Sequence, residues 1–315
     1  CFPSPSSSLS GEFGYETNKP FDPSYTRREV SCNSSFKITL AMALSFPCFL
    51  GSNNKTETCV ISNAMINSFK VSFDARYKGK FAGTVGHIGV LSLNYHKHIH
   101  TGEGGICLTD DSSLAERMQL IRNHGEAVVE KKGVQDLTNM IGFNFRLGEI
   151  EASIGIEQFK KMDSLISDRI DKADKLREGL ANLKGLRLPI VKDECTHVYY
   201  VFPILVDEDE LGCSRDVVFN ALVSEGVPIG NSYSTLHLLP MYQNKIAYGS
   251  KGFPWVSEIY KGKVKYDKGI CPVAEELNDK RYMGIGMCSY EYSNKEIDSI
   301  IFAFKKVWDN IEILK

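Results

Sequence analysis

Between residues 88 and 226, short apolar runs alternate with segments of helical period, and this alternation constrains the fold more than any other feature of the chain. "IGVLSLN" (88–94) follows Gly86 and suits a buried strand, and "GICLTDD" (105–111) suits a second strand ending in turn residues. Asp111, Ser112 and Ser113 are N-cap types ahead of "LAERMQLIRNHG", where Leu114, Met118 and Ile121 share one helical face and Gly125 supplies a stop. The stretch 147–185 is long and helical, with Ile150, Ile154, Ala173, Leu176, Leu180 and Leu183 at helical spacings within each half. Its apolar stripe shifts near 160–166, where a bend or domain junction is expected. "HVYYVFPILVD" (197–207) reads as a strand and "SRDVVFNALVSEG" (214–226) as a helix ending at glycine. Residues 293–314 read as a final helix: Ser293 and Glu296 form a capping box, and Ile297, Ile300, Ile301, Phe304, Val307 and Trp308 form its buried face. Alternating strands and helices make the class α/β.

Residues 1–70 differ. The first 35 are rich in Ser and Pro with little periodicity, which reads as loop or disorder. The apolar run 36–50 is broken by Ser45 and Pro47 and is too short to cross a bilayer, and the segment 59–73 suits either helix or strand. The chain of 315 residues begins with Cys rather than Met, as a fragment or processed product would. A net charge of -2 gives no electrostatic reason to expect nucleic acid or an anionic membrane as partner. Nine widely spaced cysteines with no CxxC pair suit free thiols in a reducing, cytoplasmic setting. Asn-x-Ser/Thr triplets at Asn33 and Asn54 read as chance matches.

The chemistry gathers at "SLNYHKHIHTGEGG" (92–105). If the strand runs on, His96, His98 and His100 share one face and Lys97 points to the other. Three histidines on one face can ligate a metal, although Glu103 is the nearest further ligand type; they can equally line a polar strand edge. A lysine just past a strand and before a glycine-rich turn is partly desolvated, which lowers its proton affinity and frees the amine as a nucleophile toward a carbonyl. That carbonyl can be the aldehyde of pyridoxal 5'-phosphate (PLP), and Ser92 can offer a hydroxyl to a phosphate.

The same stretch resembles the cofactor-lysine motif of the DegT/DnrJ/EryC1/StrS aminotransferases, in which the lysine lies five positions after a serine and ahead of Gly-Glu-Gly-Gly. Further stretches resemble the family in order: 77–89, "RNHGE" (122–126), "GFNFRLGEIEASIGIEQFKKMD" (142–163), "LHLLPMY" (236–242) and "CPVAEEL" (271–277). The resemblance covers about residues 75–315. It implies the fold type I of PLP-dependent transferases, the aspartate-aminotransferase-like α/β fold, with a smaller C-terminal α/β domain. It implies a PLP-binding part at 75–163, a small domain at 164–315 and an atypical segment at 1–74 that leaves the large domain incomplete. The implied activity is transfer of an amino group from glutamate or glutamine to a nucleotide-linked keto-sugar, for polysaccharide or secondary-metabolite synthesis. The implied assembly is a homodimer. Lys97 would bond the cofactor's aldehyde and shuttle the proton, Ser92 would bind its phosphate, and Asn144 would reach the phosphate held by a second subunit. Arg146, Tyr233 and His237 are candidate substrate contacts, with a surface ion pair and core packing as the competing readings. Under this resemblance the three histidines flank the lysine and no metal is needed. A dehydratase branch of the family carries histidine in place of the lysine, so Lys97 argues for transamination.

The resemblance stops short of the N-terminal segment. The family has a Gly-Thr loop for the cofactor phosphate, an aromatic residue on the pyridine ring and an aspartate on the pyridine nitrogen. Counting back from "RYKGK" (76–80), the acidic pair falls on Asn67 and Ser68 and its glutamine on Val71, while Asp74 falls in the following turn. Such a chain is expected to be an impaired enzyme, or a remnant that binds without catalysing.

Overall fold

The computed structural model describes residues 37–40, 74–126, 137 and 140–315. The segment 59–73, and with it positions 67, 68 and 71, lies outside them, as does the apolar run beyond residue 40. In chain order come β1 (Lys37–Leu40), β2 (Arg76–Tyr77), β3 (Lys80–Phe81), β4 (Gly89–Ser92), β5 (Gly105–Thr109) and α1 (Ser112–Arg122). Helices α2 (Glu149–Lys160) and α3 (Met162–Leu180) lead to β6 (Leu186–Arg187), β7 (Cys195–Thr196) and β8 (Phe202–Val206). Then follow α4 (Glu208–Leu211), α5 (Arg215–Ser224), β9 (Ile229–Gly230), α6 (Pro240–Gln243), α7 (Pro272–Glu276), β10 (Tyr282–Ile285), α8 (Asn294–Asp309) and α9 (Ile311–Leu314).

The described strands form three antiparallel sheets, ordered β1-β5-β4, β3-β2-β7 and β6-β8-β10-β9. In β8 the side chains of Phe202, Ile204 and Val206 alternate inward, the period-2 pattern of a strand with one face on a core. Ala173, Leu176 and Leu180 of α3, Val218 and Leu222 of α5, and Ile297, Phe304 and Trp308 of α8 pack into that same core. Helices α3 and α8 approach closely at Gly179, where a Cβ would lie 2.5 Å from Ile301 Cδ1. A second, smaller core joins Leu93, Ile99, Met162, Ile166 and Val198, and it underlies the turn that carries Lys97.

Several sequence expectations are met locally. Asp111 caps α1 by accepting from the backbone N–H groups of Ser113 and Leu114, and Ser293 with Glu296 closes the capping box of α8. The long helix breaks at Lys161, inside the expected interval. Others need correction. The buried residues of α1 are Ala115 and Leu120, whereas Leu114, Met118 and Ile121 are only half-buried, so the core-facing stripe is rotated from the one the spacing suggested. Ile150 (76% exposed) and Ile154 are on the surface, because no residue of α2 is buried. Residues 197–201 do not extend β8: Tyr199 takes a positive φ of 47°, which turns the chain before the strand begins at Phe202. Helix α8 ends at Asp309, and Ile301 is partly buried at the edge of its core.

Candidate active site

Strand β4 ends at Ser92, and the chain turns at once. The turn closes through Lys97 N–H donating to Asn94 O at 3.0 Å and Thr101 N–H donating to Leu93 O at 3.0 Å. Leu93 N–H donates in turn to Gly104 O at 2.9 Å, and Thr101 Oγ1–H donates to Glu103 O at 2.7 Å. Gly104, at φ +153°, needs its lack of a side chain: a Cβ there would lie 2.8 Å from Thr101 Oγ1. The glycine-rich turn therefore folds back on the end of the strand and holds the intervening residues.

The condition for three histidines on one strand face, a strand that runs on past Ser92, is not met. His98 is buried, and its Nε2–H donates to Val198 O at 2.6 Å. Burial pulls its pKa from 6.5 down to about 4; the bond to Val198 opposes this, and Arg169 and Lys97 add to it. His96 sits between Tyr95 and Tyr200, with ring centroids at 4.9 and 5.8 Å. Burial and then the charge of Lys97 push its pKa down, against Glu103. His100 Nδ1 is buried without a partner. The three rings have different neighbours, and among the described residues no three His, Cys, Asp or Glu side chains gather as a metal site would require.

Lys97 Nζ lies 4.1 Å from the centroid of the Tyr200 ring. The Tyr200 phenol is pushed up to about 12, mainly by burial, with Tyr233 the next contributor. Burial likewise raises the Cys288 thiol to about 11, and the positive charges of Arg169 and Lys97 pull the other way. Lys97, Tyr200, Cys288 and Arg169 are thus one electrostatic neighbourhood. The buried Arg169 guanidinium ties it together: Nε–H donates to Met287 O at 3.3 Å, and Nη1 donates to Leu165 O at 3.3 Å and His98 O at 3.5 Å. Sequence reasoning missed Tyr200, Cys288 and Arg169, which reach Lys97 only through tertiary packing and carry no local motif.

The other candidate residues stand as follows. Ser92 Oγ accepts the backbone N–H of Asn94 at 3.3 Å. Asn144 and Arg146 are exposed on a short pairing with the end of α1, in which Phe143 N–H donates to Ile121 O at 2.7 Å and Phe145 N–H to Arg122 O at 2.9 Å. Arg146 Nη1 donates to Asn123 Oδ1 at 2.6 Å, an amide partner in place of the carboxylate of a surface ion pair. Tyr233 is exposed, and its backbone N–H donates to Asn278 Oδ1 at 2.8 Å. His237 Nε2 lies 2.8 Å from Glu275 Oε1, so its imidazole has a carboxylate partner rather than only apolar packing. Asp74 lies in a turn, as its register predicts, and pairs with Arg76 at 2.9 Å.

The donors present suit one end of a PLP molecule. Lys97 offers an amine for an aldehyde, and the Ser92 hydroxyl hydrogen remains available to a phosphate. Positions 67, 68 and 71, aligned with the pyridine end, are outside the described residues.

Solved structures share the fold. The chain is similar to Helicobacter pylori PseC, an aminotransferase involved in the biosynthesis of pseudoaminic acid, with a TM-score of 0.58 and 22% identity, over 77% of this chain and 59% of that one. It is similar to an aminotransferase from Psychrobacter cryohalolentis with a TM-score of 0.59 and 24% identity, over 76% of this chain and 60% of that one. The mixed α/β chain thus has the fold type I architecture of PLP-dependent sugar aminotransferases. The sequence profile of the DegT/DnrJ/EryC1/StrS aminotransferase family matches residues 70–278, and the chain belongs to that family. Among curated relatives, the spore coat polysaccharide biosynthesis protein SpsC of Bacillus subtilis is 27% identical over 193 residues, 59% of this chain and 49% of SpsC. GDP-perosamine synthase of Escherichia coli O157:H7 is 30% identical over 174 residues, 55% of this chain and 45% of that enzyme. The chain spans about half the length of the curated relatives it matches.

Proposed function

We propose that the chain is a PLP-dependent aminotransferase that moves an amino group from glutamate or glutamine onto a nucleotide-linked keto-sugar, in the synthesis of a polysaccharide or a secondary-metabolite sugar. The observation that carries this reading is the Lys97 amine, held on a glycine-backed turn against the Tyr200 ring, within the ordered motifs of the family. Names of relatives such as GDP-perosamine synthase support the substrate class.

When bound, PLP supplies an aldehyde for covalent attachment and a ring that withdraws electrons from the substrate carbon. The chain's own residues do the rest. Lys97 takes and returns the proton at Nζ, and the face of the Tyr200 ring 4.1 Å away fixes where that amine lies. Neutral His98 and cationic Arg169 hold the turn, so the amine keeps its direction. Ser92 donates to the phosphate, and Asn144, exposed beyond α1, reaches the phosphate of a second subunit in a homodimer. Arg146, Tyr233 and His237 contact the substrate, with Glu275 orienting the His237 ring. Residues 75–163 form the cofactor-binding part and 164–315 the small domain; the larger core lies wholly within the second part, and the smaller core is shared between the two. The reading places the enzyme in the cytoplasm; five described cysteines, all free, are in keeping with a reducing compartment. Among the described residues no helix is long and apolar enough to cross a membrane.

The test is a visible absorbance spectrum of the purified chain with added PLP, beside Lys97→Ala. A band in the first and not the second, with borohydride fixing the cofactor's mass on Lys97, is the expected result. Absence of a band in both removes the reading; a band with no transamination of any keto-sugar nucleotide would leave a binding protein.

A further inference from the structure

On α3, Asp168, Arg169 and Lys172 follow Leu165 by three, four and seven residues, so the four share one helical face. The chain between β10 and α8 crosses that face, and Arg169 Nε–H ties it down by donating to Met287 O at 3.3 Å. Helix and segment leave between them a cavity of about 350 Å³, bordered by Leu165, Arg169, Lys172, Met287, Tyr290 and Glu291 among others. This size is that of a small-molecule site. The far wall is held in place: Tyr292 is buried, its hydroxyl donates to Gly286 O at 3.5 Å, and the Tyr290 ring stands edge-on to it at 5.8 Å.

Lys172 and Asp168 pair on the helix, and their charges cancel. Two opposite charges on the wall are left over. Arg169 is only 9% exposed, and its Nε and Nη1 groups donate to three carbonyl oxygens. Nη2 donates to none of the described residues, yet it is not fully enclosed, so it opens on the cavity that Arg169 borders. Among the described residues no carboxylate pairs with Arg169. A charge taken this far out of water is costly without a counterion. Glu291 is exposed at the rim and likewise belongs to no ion pair among the described residues. The cavity therefore offers one unmatched cation, one unmatched anion and apolar surface.

We propose that this cavity binds an α-amino acid with an apolar side chain: its carboxylate on Arg169 Nη2, its ammonium on Glu291, its side chain against Leu165, Met287 and Tyr290. A simple anion would meet Glu291 and Asp168, and a simple cation would meet Arg169 and Lys172; a zwitterion satisfies both signs with charge-assisted bonds. The site is separate from the Lys97 chemistry, since Lys97, Tyr200 and Cys288 do not border it. Arg169 couples the two. Its bond to His98 O, on the Lys97 turn, is the longest of the three at 3.5 Å, and a carboxylate that draws the guanidinium toward the cavity weakens it first. The occupant is thus an inhibitor and not the amino donor. The site stands independently of the aminotransferase reading, and the coupling rests on it.

The experiment uses the full chain without PLP. L-leucine is titrated by calorimetry, beside isocaproate, which lacks its ammonium, isoamylamine, which lacks its carboxylate, and L-glutamate. The expected result is binding of L-leucine, with a melting temperature that rises with its concentration, and affinity about tenfold weaker for either single-charge analogue. In Glu291→Gln, L-leucine should bind about tenfold more weakly and isocaproate no worse than in the parent. Glu291 is exposed, so this variant keeps its fold; an unchanged melting temperature without ligand verifies that. No binding of L-leucine, isocaproate binding as tightly as L-leucine, or equal affinity for L-leucine in Glu291→Gln overturns the proposal. L-glutamate binding as tightly as L-leucine overturns the apolar assignment. With PLP and borohydride, L-leucine should slow trapping of the cofactor on Lys97 several-fold in the parent and not in Glu291→Gln. Binding with unchanged trapping overturns the coupling. Binding of L-leucine to a chain that traps no PLP leaves the site standing and the enzyme reading fallen.

Discussion

His98 Nε2–H donates to the main-chain oxygen of Val198 at 2.6 Å, joining residues 100 apart in the sequence. The bond pins the residue after Lys97 to the segment before Tyr200, whose ring lies under the Lys97 amine. Folding leaves this imidazole neutral, with a pKa about 4 against an ordinary 6.5, chiefly through burial. Between those values the unfolded chain binds a proton that the folded chain does not. Stability is therefore whole above pH 6.5 and falls as the pH is lowered toward 4, by at most about 3 kcal/mol. His98→Gln is expected to melt lower than the parent at pH 7.5, and its melting temperature should depend less on pH between 6.5 and 4.5. Equal slopes in the two proteins, measured by circular dichroism, would assign the acid sensitivity elsewhere.

Arg169 is expected to matter to Lys97 without touching a substrate. Its three carbonyl partners lie on α3, on the Lys97 turn and next to Cys288. Arg169→Gln leaves those oxygens short of donors and should cost about 2–4 kcal/mol in urea unfolding. Arg169→Lys keeps the charge and loses the fork, so it should recover part of that loss. With PLP and borohydride, both variants should trap cofactor on Lys97 more slowly than the parent, and Lys less slowly than Gln. Parent-like trapping in Arg169→Gln would make its role purely one of packing.

The parts of this molecule that sequence shows and hides differ in the range of the forces that set them. The capping box at Ser293 and the stop at Gly125 are decided within a few residues, and both occur where the pattern places them. Lys97 was legible because its turn is local: a strand end, then glycines at 102, 104 and 105. Whether the histidines share a face stayed open in the sequence because period-2 spacing says nothing of where a strand stops, and here hydrogen bonds from Leu93 and Thr101 stop it early. Ile150 and Ile154 have the spacing of a buried face, yet burial depends on what packs against them, which no local pattern encodes. Tyr200 and Arg169 were invisible for the same reason.

Gly142 decides whether Asn144 and Arg146 are presented at all. A Cβ at this position would lie 1.8 Å from the carbonyl carbon of His124 and 2.1 Å from Gly125 N. Backbone at that distance cannot give way cheaply. Gly142→Ala should therefore break the pairing of Phe143 and Phe145 with the end of α1, at a cost of about 1–3 kcal/mol. Arg146 should lose its bond to Asn123. If Asn144 binds cofactor phosphate, the apparent Kd for PLP should rise while Lys97 still traps it. A melting temperature within one degree of the parent's would contradict the clash.

Glu275 organises the approach to helix α7. Its Oε2 accepts Gly269 N–H at 2.7 Å, and its Oε1 accepts Cys271 N–H at 3.1 Å and faces His237 at 2.8 Å. Burial alone would raise its pKa; the N–H groups of Cys271 and Gly269, with His237, more than reverse this and hold the carboxyl below the ordinary glutamate value of 4.5. Its contribution to stability is thus present above pH 4.5 and lost as the pH falls below it. Glu275→Ala frees both backbone donors and the His237 ring. Hydrogen exchange of the peptide spanning residues 266–276 should speed up at pH 7 in this variant, and in the parent only at more acid pH after correction for intrinsic rates. Since Gln243 links His237 O to Tyr266 O, the faster exchange should extend to the 242–246 peptide but not to β10. Unchanged exchange at Gly269 and Cys271 would show that those N–H groups are protected by something other than this carboxylate.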